Sequence, residues 1–103
     1  TLQTLGLDET RVTDDGLECL KAHGRLRYLH LYRTAVGDSG LAQLRELREL
    51  QYLGLARTKV TDGGLEHLKS LKGLRQLYLN NTAVTDPAAR KLAKELPNCE
   101  IHR

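Results

Sequence analysis

A shift of 24 positions lays this chain on itself. Leu2, Leu26, Leu50 and Leu74 superimpose, as do Leu5, Leu29, Leu53, Leu77 and Ile101, and then Leu7, Leu31, Leu55 and Leu79. In the same register follow Thr10, Thr34, Thr58 and Thr82, then Val12, Val36, Val60 and Val84, then Asp14, Asp38, Asp62 and Asp86. Gly16, Gly40 and Gly64 come next, and Leu20, Leu44, Leu68 and Leu92 close the unit. The register never slips, so four complete units and the start of a fifth account for nearly all of the 103 residues. A fixed period of this length means one supersecondary unit repeated. Composition agrees, since 22 of the 41 apolar residues are leucine and the chain has no Phe, Trp or Met. A length of 103 residues gives a single domain, 1–103.

Each unit changes its own period. Leu29-His30-Leu31 alternates as a short strand does, with leucines on one face. Asp-x-Gly-Leu-x-x-Leu reads as a short helix with Asp as its N-cap. In unit four Asp86 precedes Pro87, a residue favoured at the first helical position, and Ala88 to Leu96 is the best helix former in the chain. One strand and one helix cannot bury both apolar faces alone, so copies must stack, with a parallel sheet inside and helices outside. A coiled coil fails: Leu41, Leu44, Leu47, Leu50 and Leu53 are spaced by three throughout, and Gly37, Gly40 and Gly54 interrupt any long helix.

The pattern L-x-x-L-x-L-x-x-T-x-V-T-D-x-G-L-x-x-L resembles the leucine-rich repeats, and its Thr-Asp-x-Gly-Leu segment is similar to the 24-residue form common in bacterial proteins. The resemblance spans the whole chain. It implies an α/β fold, a right-handed solenoid with a parallel β-sheet on the concave face and short α-helices on the convex face, and a role in binding proteins or peptides. Three departures stand out. Thr10, Thr34, Thr58 and Thr82 occupy a column where the family usually has Asn, and one hydroxyl donor in place of two amide donors predicts a thinner hydrogen-bond ladder. Gly37 replaces the cap Thr and His23 stands where the next units have Leu47 and Leu71, which predicts looser packing on the helix side of unit one.

Several functions are excluded or lack support. No apolar run approaches the roughly 20 residues of a membrane span, and a net charge of +3 gives no argument for nucleic acid. Cys19 and Cys99 form neither a ligand spacing nor a disulfide framework. Ser39 and Ser70 lie in outer segments away from any histidine relay. His30 and His102 share a column but stand three strands, roughly 14 Å, apart, too far for one metal. The Asp column suits helix capping better than a calcium ladder, because one carboxylate per turn supplies too few oxygens. The expectation is therefore a non-enzyme with no cofactor and no metal. Localisation stays open, with a slight lean to the cytoplasm.

Residues flanking the core leucines point into the groove. Their columns read Thr4, Tyr28, Tyr52, Gln76; Gly6, His30, Gly54, Tyr78; Asp8, Tyr32, Ala56, Asn80; and Glu9, Arg33, Arg57, Asn81. All four tyrosines fall here and none in a leucine column, and Tyr and Arg are the types enriched in binding hot spots. Gly54 and Ala56 leave the floor low between His30 and Tyr32 on one side and Tyr78 on the other, with Tyr52 and Arg57 at the strand ends. The expectation is a shallow recess for an apolar or aromatic side chain, with Arg33 and Arg57 meeting a carboxylate. Tyr28, His30, Tyr32, Arg33, Tyr52, Gly54, Ala56, Arg57 and Tyr78 are thus the candidate partner-binding residues, for a protein or peptide.

The two ends differ. Residues 97–103 offer a capping strand in which only Ile101 takes a core position, between Glu100, His102 and Arg103, a short polar edge of the kind that resists strand addition. Residues 1–7 start directly on core leucines, which suggests either the C-terminal part of a longer protein or an end that pairs with another copy. The alternative to a binding module is accordingly an assembly segment that forms homo-oligomers through this N-terminal end. Some self-association is expected, and light scattering at high concentration checks it: strictly monomeric elution would exclude it.

Overall fold

A computed structural model describes residues 2–103. Five three-residue strands, β1 (Thr4–Gly6), β2 (Tyr28–His30), β3 (Tyr52–Gly54), β4 (Gln76–Tyr78) and β5 (Glu100–His102), form one parallel sheet in chain order. Register follows the 24-residue period, with Leu5, Leu29, Leu53, Leu77 and Ile101 side by side. Backbone pairing runs past the strand ends, as Leu31 N–H donates to the Gly54 carbonyl and Leu55 N–H to that of Tyr78, both at 2.9 Å.

The outer segments differ in type. Units two and four carry α-helices, α1 (Asp38–Gln43) and α2 (Asp86–Glu95), whereas units one and three form 3₁₀ helices, Asp15–Ala22 and Asp62–His67. Unit three places Gly63 and Gly64 in its first turn, a poor start for an α-helix, while Ala-Ala-Arg-Lys-Leu-Ala-Lys-Glu in unit four consists of strong formers behind Pro87.

Leucines from strand and helix sides meet in one continuous core. Leu29, Leu31, Leu41, Leu44, Leu47, Leu50, Leu53 and Leu55 are wholly inaccessible, and truncating any such side chain to Ala costs about 2–5 kcal/mol. In unit one Leu17 and Leu20 are buried, so its helix side packs well; the loosening at exposed His23 is local. The looser face is the strand side of that unit, where Leu2 is 39 % exposed and Leu5, Leu7 and Val12 are only partly buried.

The Asp column does not do what its spacing suggests. Asp14 stands at the N-cap position of its 3₁₀ helix but makes no side-chain capping bond, whereas Asp38, Asp62 and Asp86 are the first helical residues behind N-caps Gly37, Thr61 and Thr85. Each Asp carboxylate instead reaches the next unit. Asp14 accepts from Gly37 N–H at 2.7 Å; Asp38 accepts from Thr61 N–H at 2.8 Å and its hydroxyl at 2.5 Å; Asp62 accepts from Thr85 N–H and its hydroxyl, both at 2.7 Å. The same threonine oxygens accept from Gly63 N–H and Ala88 N–H, so each caps its own helix while donating to the preceding carboxylate. Asp86 is met by Arg103, whose guanidinium also donates to the Val84 carbonyl. The Gly column is the counterpart: a Cβ on Gly40 would run into the Asp14 carboxylate, and one on Gly64 into that of Asp38.

The threonine column plays a local part. Thr34, Thr58 and Thr82 hydroxyls donate to the carbonyls of Leu31, Leu55 and Leu79 in their own turns, at 2.7–2.9 Å. The side-chain links between units beside the N-caps therefore come from aspartate, next to the backbone bonds from Lys59 N–H to the Val36 carbonyl and from Ala83 N–H to that of Val60. Between the two contributions the leucines are the larger, and the carboxylates add charge-assisted bonds that fix register.

Asp38→Ala is expected to cost about 1–3 kcal/mol, and Gly64→Ala a comparable amount by crowding the same carboxylate. Together they should cost clearly less than the sum, measured by urea unfolding of both singles and the double variant. Acid should expose the Asp62 link separately. Its carboxyl lies below the usual 3.8, first because Thr85 N–H bonds its charged form, then through the Thr85 hydroxyl and the nearby Arg103. A depressed folded value means this contribution is complete above the ordinary value and disappears as pH falls through the lower one. Asp62→Asn should accordingly lose less stability than the parent between about pH 4 and pH 2, followed by circular dichroism.

Candidate functional site

The alternation that buries Leu29, Leu53 and Leu77 turns their neighbours outward, and register sets those neighbours side by side. His30, Gly54, Tyr78 and His102 lie on adjacent strands in one row, with Tyr28, Tyr52 and Gln76 in the row below. The rings interlock across the rows. Tyr52 sits 4.7 Å from His30 and 5.3 Å from Tyr78 between ring centres, both tilted by about 40°, and Tyr78 stacks on His102 at 4.3 Å and 10°. Tyr28 stands apart, 6.5 Å from Tyr52 and 40 % exposed. His102 is steadied by Gln76, its Nε2 2.7 Å from Oε1.

Gly54 makes room for this arrangement. A Cβ there would touch the Tyr52 ring at 3.4 Å, so the tyrosine leans over the space that the glycine leaves. Above it lies a recess of about 350 Å³ lined by Asp8, His30, Tyr32, Tyr52, Gly54, Ala56 and Tyr78. Six of the nine candidate residues thus come together around one depression. Tyr52, the first residue of β3, forms part of its wall. Burial, with the nearby Tyr78 and Asp8 adding, raises the Tyr52 hydroxyl above its usual 10.0, so the phenol stays neutral.

Tyr28, Arg33 and Arg57 do not line the recess. Both arginines occupy the corner after the strand, where Glu9, Arg33, Arg57 and Asn81 all take left-handed backbone conformations with φ of 56–58°. In that conformation Glu9, Arg33 and Arg57 N–H groups donate to the carbonyls of Tyr32, Ala56 and Asn80 in the following units. Arg33 is paired with Glu9 at 3.6 Å, and the side chains of both are well exposed.

Asp8 is the lining residue that the sequence reading left out of the candidate set. Its Oδ1 accepts from Tyr32 N–H at 2.7 Å, a link of 24 residues. The column of Asp8 above Tyr32 and Ala56 was the available signal. A second depression, about 320 Å³, lies on the convex side between the 3₁₀ helix Asp62–His67 and α2, over Leu65, Ala88 and Leu92. Its rim charges largely satisfy one another, as Glu66 pairs with Lys69 at 2.7 Å and with Lys91 at 3.9 Å.

Cys19 is exposed, and Cys99, half-buried, has its thiol pushed up to about 11 by burial first and Glu100 second. Among the described residues, no three His, Cys, Asp or Glu side chains are placed to hold a metal ion, and no helix is long and apolar enough to cross a membrane.

The sequence matches no family model and no curated protein. Among solved structures, a leucine-rich-repeat protein of Leptospira interrogans superimposes with a TM-score of 0.75 at 23 % identity, over 99 % of this chain and 25 % of that one. An internalin from Listeria monocytogenes aligns at 0.65 and 17 % identity, over 98 % of this chain and 34 % of its own. The ectodomain of the receptor kinase SOBIR1 from Arabidopsis thaliana aligns at 0.60 and 18 %, over 98 % and 55 %. This chain therefore spans from a quarter to just over half of those proteins, and it has the leucine-rich-repeat fold.

Proposed function

We propose that this leucine-rich-repeat fold serves as a non-catalytic module that binds a protein or peptide on its concave strand face. One observation carries the reading: the chain's four tyrosines all project from the sheet, and three of them, with His30, surround the recess above Gly54. Solenoids use such extended concave surfaces for binding, and a rigid ring buries much area at small entropic cost. Tyr28 extends the aromatic surface below the recess, and on the corner side Arg57, with Arg33 once it exchanges its exposed partner Glu9, offers contacts for acidic groups of the partner.

A second reading, assembly through the N-terminal end, is favoured by the partly exposed Leu2, Leu5, Leu7 and Val12 beside the edge strand β1. It uses a different surface and is separated from the first by its response to concave-face substitutions.

Affinity capture with the parent chain, Gly54→Leu and Tyr52→Ala/Arg57→Ala side by side tests the proposal. A partner retained by the parent should be lost by both variants while their melting temperatures stay close to the parent's. A partner retained equally by all three, with hydrogen exchange slowed outside the strands, would place recognition elsewhere.

A further inference from the structure

The recess has a chemical character that narrows what enters it. Its lining is mainly aromatic, from Tyr32, Tyr52, Tyr78 and His30, and its one carboxylate is that of Asp8. That carboxylate is held in place by Tyr32 N–H through Oδ1, which leaves Oδ2 available. The charge reaches the rings, since Asp8 is among the groups that disfavour ionisation of Tyr52. No lysine or arginine lines the depression, and Arg33, at the corner, is paired with Glu9. A hydrocarbon side chain would fill the volume but leave the carboxylate unanswered. An acidic one would meet it unfavourably. A planar or compact cation over tyrosine faces, with a carboxylate at the edge, satisfies both.

We infer that the recess above Gly54 receives a basic side chain, arginine foremost, from the protein partner, with Tyr32, Tyr52 and Tyr78 packing on the cation and its stem and Asp8 pairing with its charge. This rests on the concave-face reading and adds to it the chemistry of the residue that the partner must present. It also divides the face by charge: the recess, on the side of Asp8 and Glu9, takes the cation, and Arg57, beyond Ala56, is left for a neighbouring acidic group. Arginine suits the site better than lysine because its planar fork stacks on rings and meets a carboxylate at the same time.

A small-molecule titration isolates this from partner binding. N-acetyl-arginine methylamide and its neutral citrulline counterpart are titrated separately into the parent chain, and the ring signals of Tyr32, Tyr52 and Tyr78 are followed by NMR. The arginine probe should shift those rings, with the citrulline probe weaker by on the order of five-fold or more. Asp8→Asn, whose amide oxygen can still accept from Tyr32 N–H, should reduce the arginine response to the citrulline level. Gly54→Leu should abolish both. Equal responses to the two probes, an unchanged response in Asp8→Asn, or no response to either overturns the inference. The two readings fail separately: a null titration leaves retention of the partner by the concave face to stand on the capture experiment, and a partner indifferent to Gly54→Leu removes the concave reading without touching the probe result.

Discussion

No unit of this chain can close on itself, and the hydrogen bonds that Asp14, Asp38 and Asp62 accept from the following unit show why. Asp38 has its partner at Thr61 and Asp62 at Thr85, a separation of 23 residues, and Gly40 and Gly64 leave room for the carboxylates of Asp14 and Asp38, whereas Ala88 takes that column position opposite Asp62. Leucine burial supplies the larger free energy, yet leucine against leucine would tolerate slippage because every column offers the same shape. A charged acceptor that finds its donor at only one offset does not. Stability thus comes mainly from the apolar columns and uniqueness of register mainly from the polar ones, a division that also explains why Arg103 engages Asp86, the carboxylate that has no later threonine among the described residues.

Much of this was legible from residue order. The period, the strand positions, the leucine core and the outward columns all follow from a repeat without insertions, because register converts sequence offset directly into spatial neighbourhood. What the columns could not show was direction. Aspartate at the start of a helix is chemically ready to cap it, and only the rise between successive turns decides that its carboxylate faces the next threonine. Helix type was only half legible: units one and two each carry one first-turn glycine, Gly16 and Gly40, yet the first is 3₁₀ and the second α, whereas Gly63 and Gly64 in unit three and Pro87 with two alanines in unit four do point to the type that forms. Gly54 and Ala56 pointed to a depression but not to its charge: Asp8 shares the outward column of Tyr32 and Ala56, and only its bond to Tyr32 N–H shows the carboxylate held at the lining.

The sheet separates two demands that compact domains usually have to reconcile. One side of each strand is committed to leucine, and the other carries nothing that the core depends on. Tyr52 can lean across Gly54, and Tyr78 can stack on His102, without disturbing Leu53 or Leu77 behind them. A surface of this kind can change its side chains freely while the scaffold stays fixed.

That freedom stops at the corner. Glu9, Arg33, Arg57 and Asn81 share a left-handed backbone that asparagine and glycine adopt readily and longer side chains adopt at a cost of about 1–2 kcal/mol. Unit four carries the comfortable residue there, whereas units two and three carry arginine. Selection for thermal robustness would drift those two positions toward asparagine or glycine, erasing two positive charges from the rim of the concave face. Heat tolerance and the electrostatic identity of this surface are therefore opposed at the same two codons, and a lineage that prized one would be expected to surrender the other.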